Sequence, residues 1–179
     1  VPTKAALVEI EEVPFGIRKT LEQMEKLSIR GARDPFVIMN AMRLVNALGI
    51  PRKAYLKEIE ALLQYAQGIH PEFGGLRYAR DPREVMESPR MTEEYGHGDA
   101  SDLAVWLAAH LLAIGHGPVR FVAISAKDRP DDFVHVYLHY GNPEGKRFRW
   151  IALDPTVEEP MGWEYPDAAK KVYYDVGKQ

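Results

Sequence analysis

The chain has 179 residues, 46% of them hydrophobic, which is enough for one domain with a substantial core. Its formal net charge of -3, with acidic and basic residues interspersed, excludes the basic stripe that a phosphate backbone requires, and the absence of cysteine excludes disulfides and thiolate metal sites. No apolar run of about 18 residues is present to span a bilayer and no charged-then-apolar leader opens the chain, so a cytoplasmic location is expected, with neither nucleic acid nor membrane as partner.

Residues 1–15 read as an extended arm or short strand closed by Pro14. Ile17, Leu21, Met24 and Leu27 then recur at helical spacing and share one face. Asp34-Pro35 offers a cap followed by proline at the first helical position, and the helix it opens, with Val37, Met39, Met42, Leu44, Val45 and Leu48, closes at Gly49. A third helix is expected from near Pro51 to Gly68, with Tyr55, Ile59, Leu62, Leu63 and Ala66 facing inward. Residues 69–98 form a loop-rich middle, and a loop of that length in a compact domain is more often functional than idle.

From Ala100 to Ile114 the residues Leu103, Trp106, Leu107, His110, Leu111 and Ile114 form a helical stripe capped by Gly115, which makes this the helix most suited to burial. Beyond it the period changes to two. Residues 119–125, 133–140 and 147–153 are rich in β-branched and aromatic side chains and are separated by turn clusters. The tail from Pro155 wraps the surface in this reading. Helices first and strands afterwards give an α+β fold, with N-terminal helices and a central helix packed on an antiparallel sheet.

The segment Gly96-His97-Gly98-Asp99-Ala100-Ser101-Asp102 has the form of a nucleophile turn without its nucleophile. A thiol at the first turn of a helix sits where unpaired N–H groups and the helix dipole favour negative charge, which activates the sulfur and stabilises an oxyanion. Position 100 has that placement, with Asp99 as N-cap and Gly98 allowing close approach of the backbone to a substrate. Taken alone, the same residues also describe a well-capped helix. With 141–146 as the hairpin loop, His135 lies opposite Ala152 and Asp154 is its diagonal neighbour on the same face, within reach of an imidazole–carboxylate hydrogen bond. Alanine, histidine and aspartate at these three positions are a Cys–His–Asp arrangement lacking its sulfur.

GDASDLA, then HVYL, then WIALDPT resembles the transglutaminase-like branch of the papain-like cysteine protease superfamily, whose pattern is a Gly-Asp-Cys-Asp/Ser-Asp helix start, a histidine opening a strand and an aromatic-rich strand ending in Leu-Asp-Pro/Ala-Thr. The lead-in LRYARDPREVMESPRMTEEYGHGD is similar to that of phage and prophage members, so the resemblance covers roughly residues 50–165. It implies a catalytic core over 51–179, with 1–50 as an accessory or pro-segment-like region. It also implies Ala100 at the cysteine site, His135 as general base and acid, and Asp154 as the orienting carboxylate. The implied activity is acyl transfer through a thioester on a protein or peptide substrate. Hydrolysis is favoured over crosslinking, because a small domain has less to shield a thioester with. With alanine at position 100 the chain as written lacks that chemistry. An engineered Cys→Ala, the minimal change that deletes a sulfur, and a natural non-catalytic module that binds peptides or associates with a virion are the two explanations.

Several other residues have weaker claims. Ser101 is one step along the helix, rotated by about 100° from position 100, and is a poor substitute nucleophile, though it belongs to the oxyanion turn with Asp99. Tyr78, with Arg77 and Arg80, either lines a substrate cleft or assists the oxyanion hole, or else packs its loop down. Trp150 shares the face of His135 in this pairing and is either a cleft wall or core. His110 reads as a satisfied core histidine, and His139 as lying near the hairpin end. His97, Asp99, Asp102 and His135 are of zinc-ligand types, but their spacing matches no two-histidine helical motif and no loop has the calcium pattern, so no metal or cofactor is expected. Nothing in the sequence sets an oligomeric state.

Overall fold

In chain order the elements are α1 (Pro14–Ala32), α2 (Pro35–Asn46), α3 (Tyr55–Ala66), β1 (Arg77–Tyr78), α4 (Pro89–Tyr95), β2 (His97–Gly98), α5 (Ala100–Ala113), β3 (Val119–Ala126), β4 (Arg129–Glu144), β5 (Arg147–Leu153) and β6 (Ala168–Asp175). The structure is a computed structural model and describes residues 14–81 and 85–177. The fold is α+β: helices cover one face of an antiparallel sheet of order β5-β4-β3-β6.

α5 is the axis of the molecule. Its residues 102–111 are all buried, as a helix that is apolar nearly all round must be. On one side it packs against the sheet face made by Phe121, Ala123, Val136, Leu138 and Leu153, and on the other it meets Leu21, Met24 and Leu27 of α1 and Ile59 and Leu62 of α3 in a single core. Small residues let these layers close: a Cβ on Gly31 of α1 would come within 3.1 Å of the Ala109 Cβ on α5 and 2.6 Å of Pro89 Cγ.

The second sheet face holds Val122, Ile124, Tyr137 and Ala152. Residues 155–167 cross it, fixed by Gly162 N–H donating to the Ala152 carbonyl (2.8 Å) and by the Tyr137 hydroxyl donating to Glu164 (2.9 Å). The tail therefore does more than wrap the surface: after this crossing it becomes β6, paired with β3 as an edge strand (Val122↔Tyr173). Lys170 and Lys171 interrupt its apolar pattern, which is how edge strands are kept from pairing further.

Three other expectations are corrected. Pro14 opens α1 rather than closing an arm, and residues 1–13 of that expected arm lie outside the described residues. α3 starts at Tyr55, not near Pro51, and Tyr55 is exposed rather than facing inward. The β4–β5 turn is the two residues Gly145-Lys146, with Glu144 opposite Arg147 and Gly145 at φ +64°, not the six-residue loop 141–146. Pro143 can sit in β4 because β3 pairs only as far as Tyr140, so the missing N–H costs no ladder bond there.

Candidate active site

The site begins at the tip of α5. The Asp99 carboxylate accepts from Asp102 N–H (3.0 Å), and the Asp102 carboxylate returns the contact to Asp99 N–H (3.2 Å), a reciprocal capping box that fixes the first turn. The other Asp102 oxygen accepts from Glu87 N–H (2.8 Å), tying the preceding loop to the helix. Gly98 is needed for this packing, since a Cβ there would stand 2.6 Å from the Asp102 Cβ. Gly98 thus permits the close approach of the chain to Asp102. Burial, and then the neighbouring Asp99 charge, push Asp102 up to about 8; burial likewise raises Asp99.

β1 and β2 pair in parallel, Tyr78 opposite Gly98, with Ala79 N–H donating to the Gly98 carbonyl (2.8 Å). This two-residue ladder brings the loop 77–81 to the helix tip. The result is a cavity of about 280 Å³ lined by Tyr78, Arg80, Asp99, Ala100, Ser101 and His135, with Leu21 and Met24 of α1 and the start of β4 completing its walls.

His135 stands on β4, just past a bulge where Ile124 pairs with His135 and Ser125 with Phe133. Its Nε2 lies 2.8 Å from Asp154 Oδ2. Asp154 is buried directly after β5, and its other oxygen accepts from Thr156 N–H (3.0 Å) and the Thr156 hydroxyl (2.7 Å). A carboxylate so held accepts from the ring, which places the proton on Nε2 and leaves Nδ1 as the nitrogen able to act on a substrate. The expected opposition of His135 to Ala152 is corrected: His139 faces Ala152, a slip of four residues. An even slip preserves the face, so Asp154 is still diagonal to His135, from the other side.

Of the other singled-out residues, Trp150 does not reach the cavity. It lies opposite Gly141, and the Arg120 guanidinium stands 4.2 Å over its ring. His97 stacks on Tyr95, and His110 is fully buried, its Nδ1 donating to the Trp106 carbonyl (2.8 Å) and its Nε2 accepting from Asn40 (3.0 Å). His139 is buried between Arg120 and Glu164, well away from the hairpin turn. Among the described residues no group of three or more His, Cys, Asp or Glu is placed to hold a metal ion. Thr156, Tyr165 and the α1 side chains at the cavity are the site neighbours that sequence reasoning passed over. Thr156 was signalled by the Leu-Asp-Pro-Thr run; nothing local marked Tyr165, whose ring centre is 5.9 Å from that of His135.

No family model matches the chain, and no curated relative does. Solved structures do. Calcium-bound LapG of Legionella pneumophila aligns with a TM-score of 0.56 at 18% identity over 89% of this chain and 88% of its own, and the EGTA-treated form gives 0.55 at 18% over 88% and 86%. A candidate protease from Parabacteroides distasonis ATCC 8503 aligns with a TM-score of 0.50 at 11% identity over 76% of this chain, which spans about a quarter (26%) of that protein's length. At these identities the likeness is one of fold.

Proposed function

We propose that the cavity is an acyl-transfer site of the transglutaminase-like cysteine peptidase kind, with alanine at the position of the nucleophile, so that the chain as it stands holds a protein or peptide substrate without cleaving it. The observation that carries this reading is the convergence of Ala100, at the first residue of a capped helix, and His135, bonded to Asp154, on one cavity. Hydrogen bonding to a buried carboxylate fixes the tautomer and the ring orientation of a general base.

With a thiol at position 100, His135 Nδ1 takes its proton. The thiolate attacks the scissile carbonyl, and first-turn N–H groups of α5 receive the oxyanion. Collapse breaks the C–N bond as His135 returns the proton to the leaving amine. Water, deprotonated by His135, then releases the acid from the thioester. Hydrolysis is favoured over transfer to an amine because Tyr78 and Val134, both about half exposed (53% and 54%), leave the rim of the cavity open to water.

The test is Ala100→Cys, assayed on unfolded casein peptides. The expected outcome is peptide hydrolysis that iodoacetamide abolishes and that His135→Ala, in the same background, lowers by about 10²–10⁴-fold. A folded Ala100→Cys protein that binds peptides but never cleaves them overturns the catalytic reading in favour of a peptide-binding module.

A further inference from the structure

Besides the Gly162 N–H bond to the Ala152 carbonyl (2.8 Å) and the Gln67 amide bond to the Glu159 carbonyl (2.8 Å), the loop that leaves Asp154 is tied to the outer sheet face by one carboxylate. Glu164 Oε1 accepts from the Tyr137 hydroxyl (2.9 Å), from His139 Nε2 (2.8 Å) and from the Lys171 ammonium (3.2 Å). The direction of the His139 bond is fixed by Arg120. Its guanidinium reaches His139 Nδ1 through Nε (3.1 Å) and Nη2 (3.0 Å), and a guanidinium can only donate, so Nδ1 accepts and Nε2 carries the proton toward Glu164. Arg120 is itself held between the rings of Trp150 (4.2 Å) and Tyr173 (4.0 Å). Burial lowers His139, and although burial of Glu164 acts upward, the His139 and Tyr137 bonds hold it below the usual carboxylate range.

Tyr137, bonded to this carboxylate, and Tyr165, next to it in the chain, stand beside the imidazole of His135. Tyr137 lies 5.8 Å from it, centroid to centroid and nearly parallel at 27°, and Tyr165, the residue after Glu164, lies 5.9 Å away at 45°. Tyr165 is braced in turn by Trp163, edge-on at 6.2 Å.

We propose that Glu164 is a positioning residue of the site: by fastening residues 155–167 to the outer sheet face it fixes Tyr137 and Tyr165 against His135, and so holds the imidazole on Asp154 and limits the access of water to that hydrogen bond. This rests on the role given to His135 above, but it concerns a hydrogen bond present in the chain as it stands. Arg120, His139 and Lys171 are the support of the latch, and Tyr165 is the part that acts.

The test uses the unaltered Ala100 chain. Proton–nitrogen NMR of the imidazoles gives the solvent-exchange rate of the His135 Nε2–H. Glu164→Ala and, separately, Tyr165→Ala are expected to speed that exchange by about tenfold or more, the equivalent of one hydrogen bond to a charged group, while Tyr165→Phe leaves it unchanged. The Glu164 side chain is 37% exposed and Tyr165 42% exposed, so both variants are compatible with a folded chain, checked by an unchanged spectrum of the α5 amides. Exchange unaltered in both Glu164→Ala and Tyr165→Ala overturns the proposal. In the Ala100→Cys background, alkylation by iodoacetamide separates the two readings. A thiol no more reactive than a free one counts against the catalytic reading alone. Enhanced reactivity that Glu164→Ala leaves at the same rate and pH profile counts against the latch alone.

Discussion

The packing at the tip of α5 depends on a residue with no side chain. Gly98 lies where β2 ends, and a methyl group there would meet the Asp102 Cβ at 2.6 Å and Thr92 Cγ2 at 3.3 Å. The Asp102 Cβ cannot retreat, because the carboxylate beyond it is held by Glu87 N–H and Asp99 N–H and the residue is in the first turn of α5. Gly98→Ala is therefore expected to cost about 1–3 kcal/mol, the range for forcing a methyl into a packed site. It is also expected to loosen the cavity, since the helix tip must move off the 77–81 loop. Chemical denaturation measures the first effect. A Gly98→Ala chain as stable as the parent would show that the tip tolerates a shift the packing forbids.

At the scale of elements, the start of α5 combines a capping box with a charge problem. Asp102 is 1% exposed, and burial together with Asp99 raises it to about 8 from 3.8. Between those two values the folded chain binds a proton that the unfolded chain has released, so stability falls as pH rises across that window. Asp102→Asn is expected to lower stability at every pH, because an amide cannot accept from both Glu87 N–H and Asp99 N–H, yet to flatten this slope. Urea titrations at a series of pH values from 5 to 8 measure it, and a slope equal to that of the parent would mean that Asp102 is ionised throughout.

This capped start was legible in the sequence because glycine, cap and helix stripe are adjacent residues. The β4–β5 register was not. Pro143 looks like a loop residue until it is known that β3 stops pairing at Tyr140. The His135–Asp154 diagonal survived the slip of four only because strand faces repeat every two residues. Glu164 gave no signal at all, since Tyr137 and His139 lie 27 and 25 residues from it in the chain, and nothing near Glu164 announces either partner.

Over the whole molecule, one buried histidine joins the helical layer. The His110 ring stacks on Trp106 at 3.7 Å, Trp106 stacks on Tyr65 of α3 at 5.3 Å, and the Trp106 indole N–H and the Tyr65 hydroxyl both donate to Glu93 of α4. Asn40 of α2 donates to His110 Nε2, and because Asn40 Oδ1 is already held by Arg43, the amide cannot turn to accept instead without breaking that contact. Protonating Nε2 would set two donors against each other inside the core. Burial accordingly lowers His110 to about 3 from 6.5, against the upward pull of its bond to the Trp106 carbonyl. In that interval the unfolded chain takes up a proton that the folded chain refuses, so stability declines as pH falls from about 6.5 toward 3. His110→Gln, which can still accept from Asn40 and cannot charge, is expected to reduce the acid sensitivity by up to one proton while losing the ring stacking on Trp106. Thermal unfolding followed at pH 7 and pH 4.5 measures both effects: a smaller drop in Tm between the two pH values from the first, and a lower Tm at pH 7 from the second. A variant whose Tm falls with acid as steeply as the parent's would place the acid-sensitive group elsewhere than at the junction of α2, α3, α4 and α5.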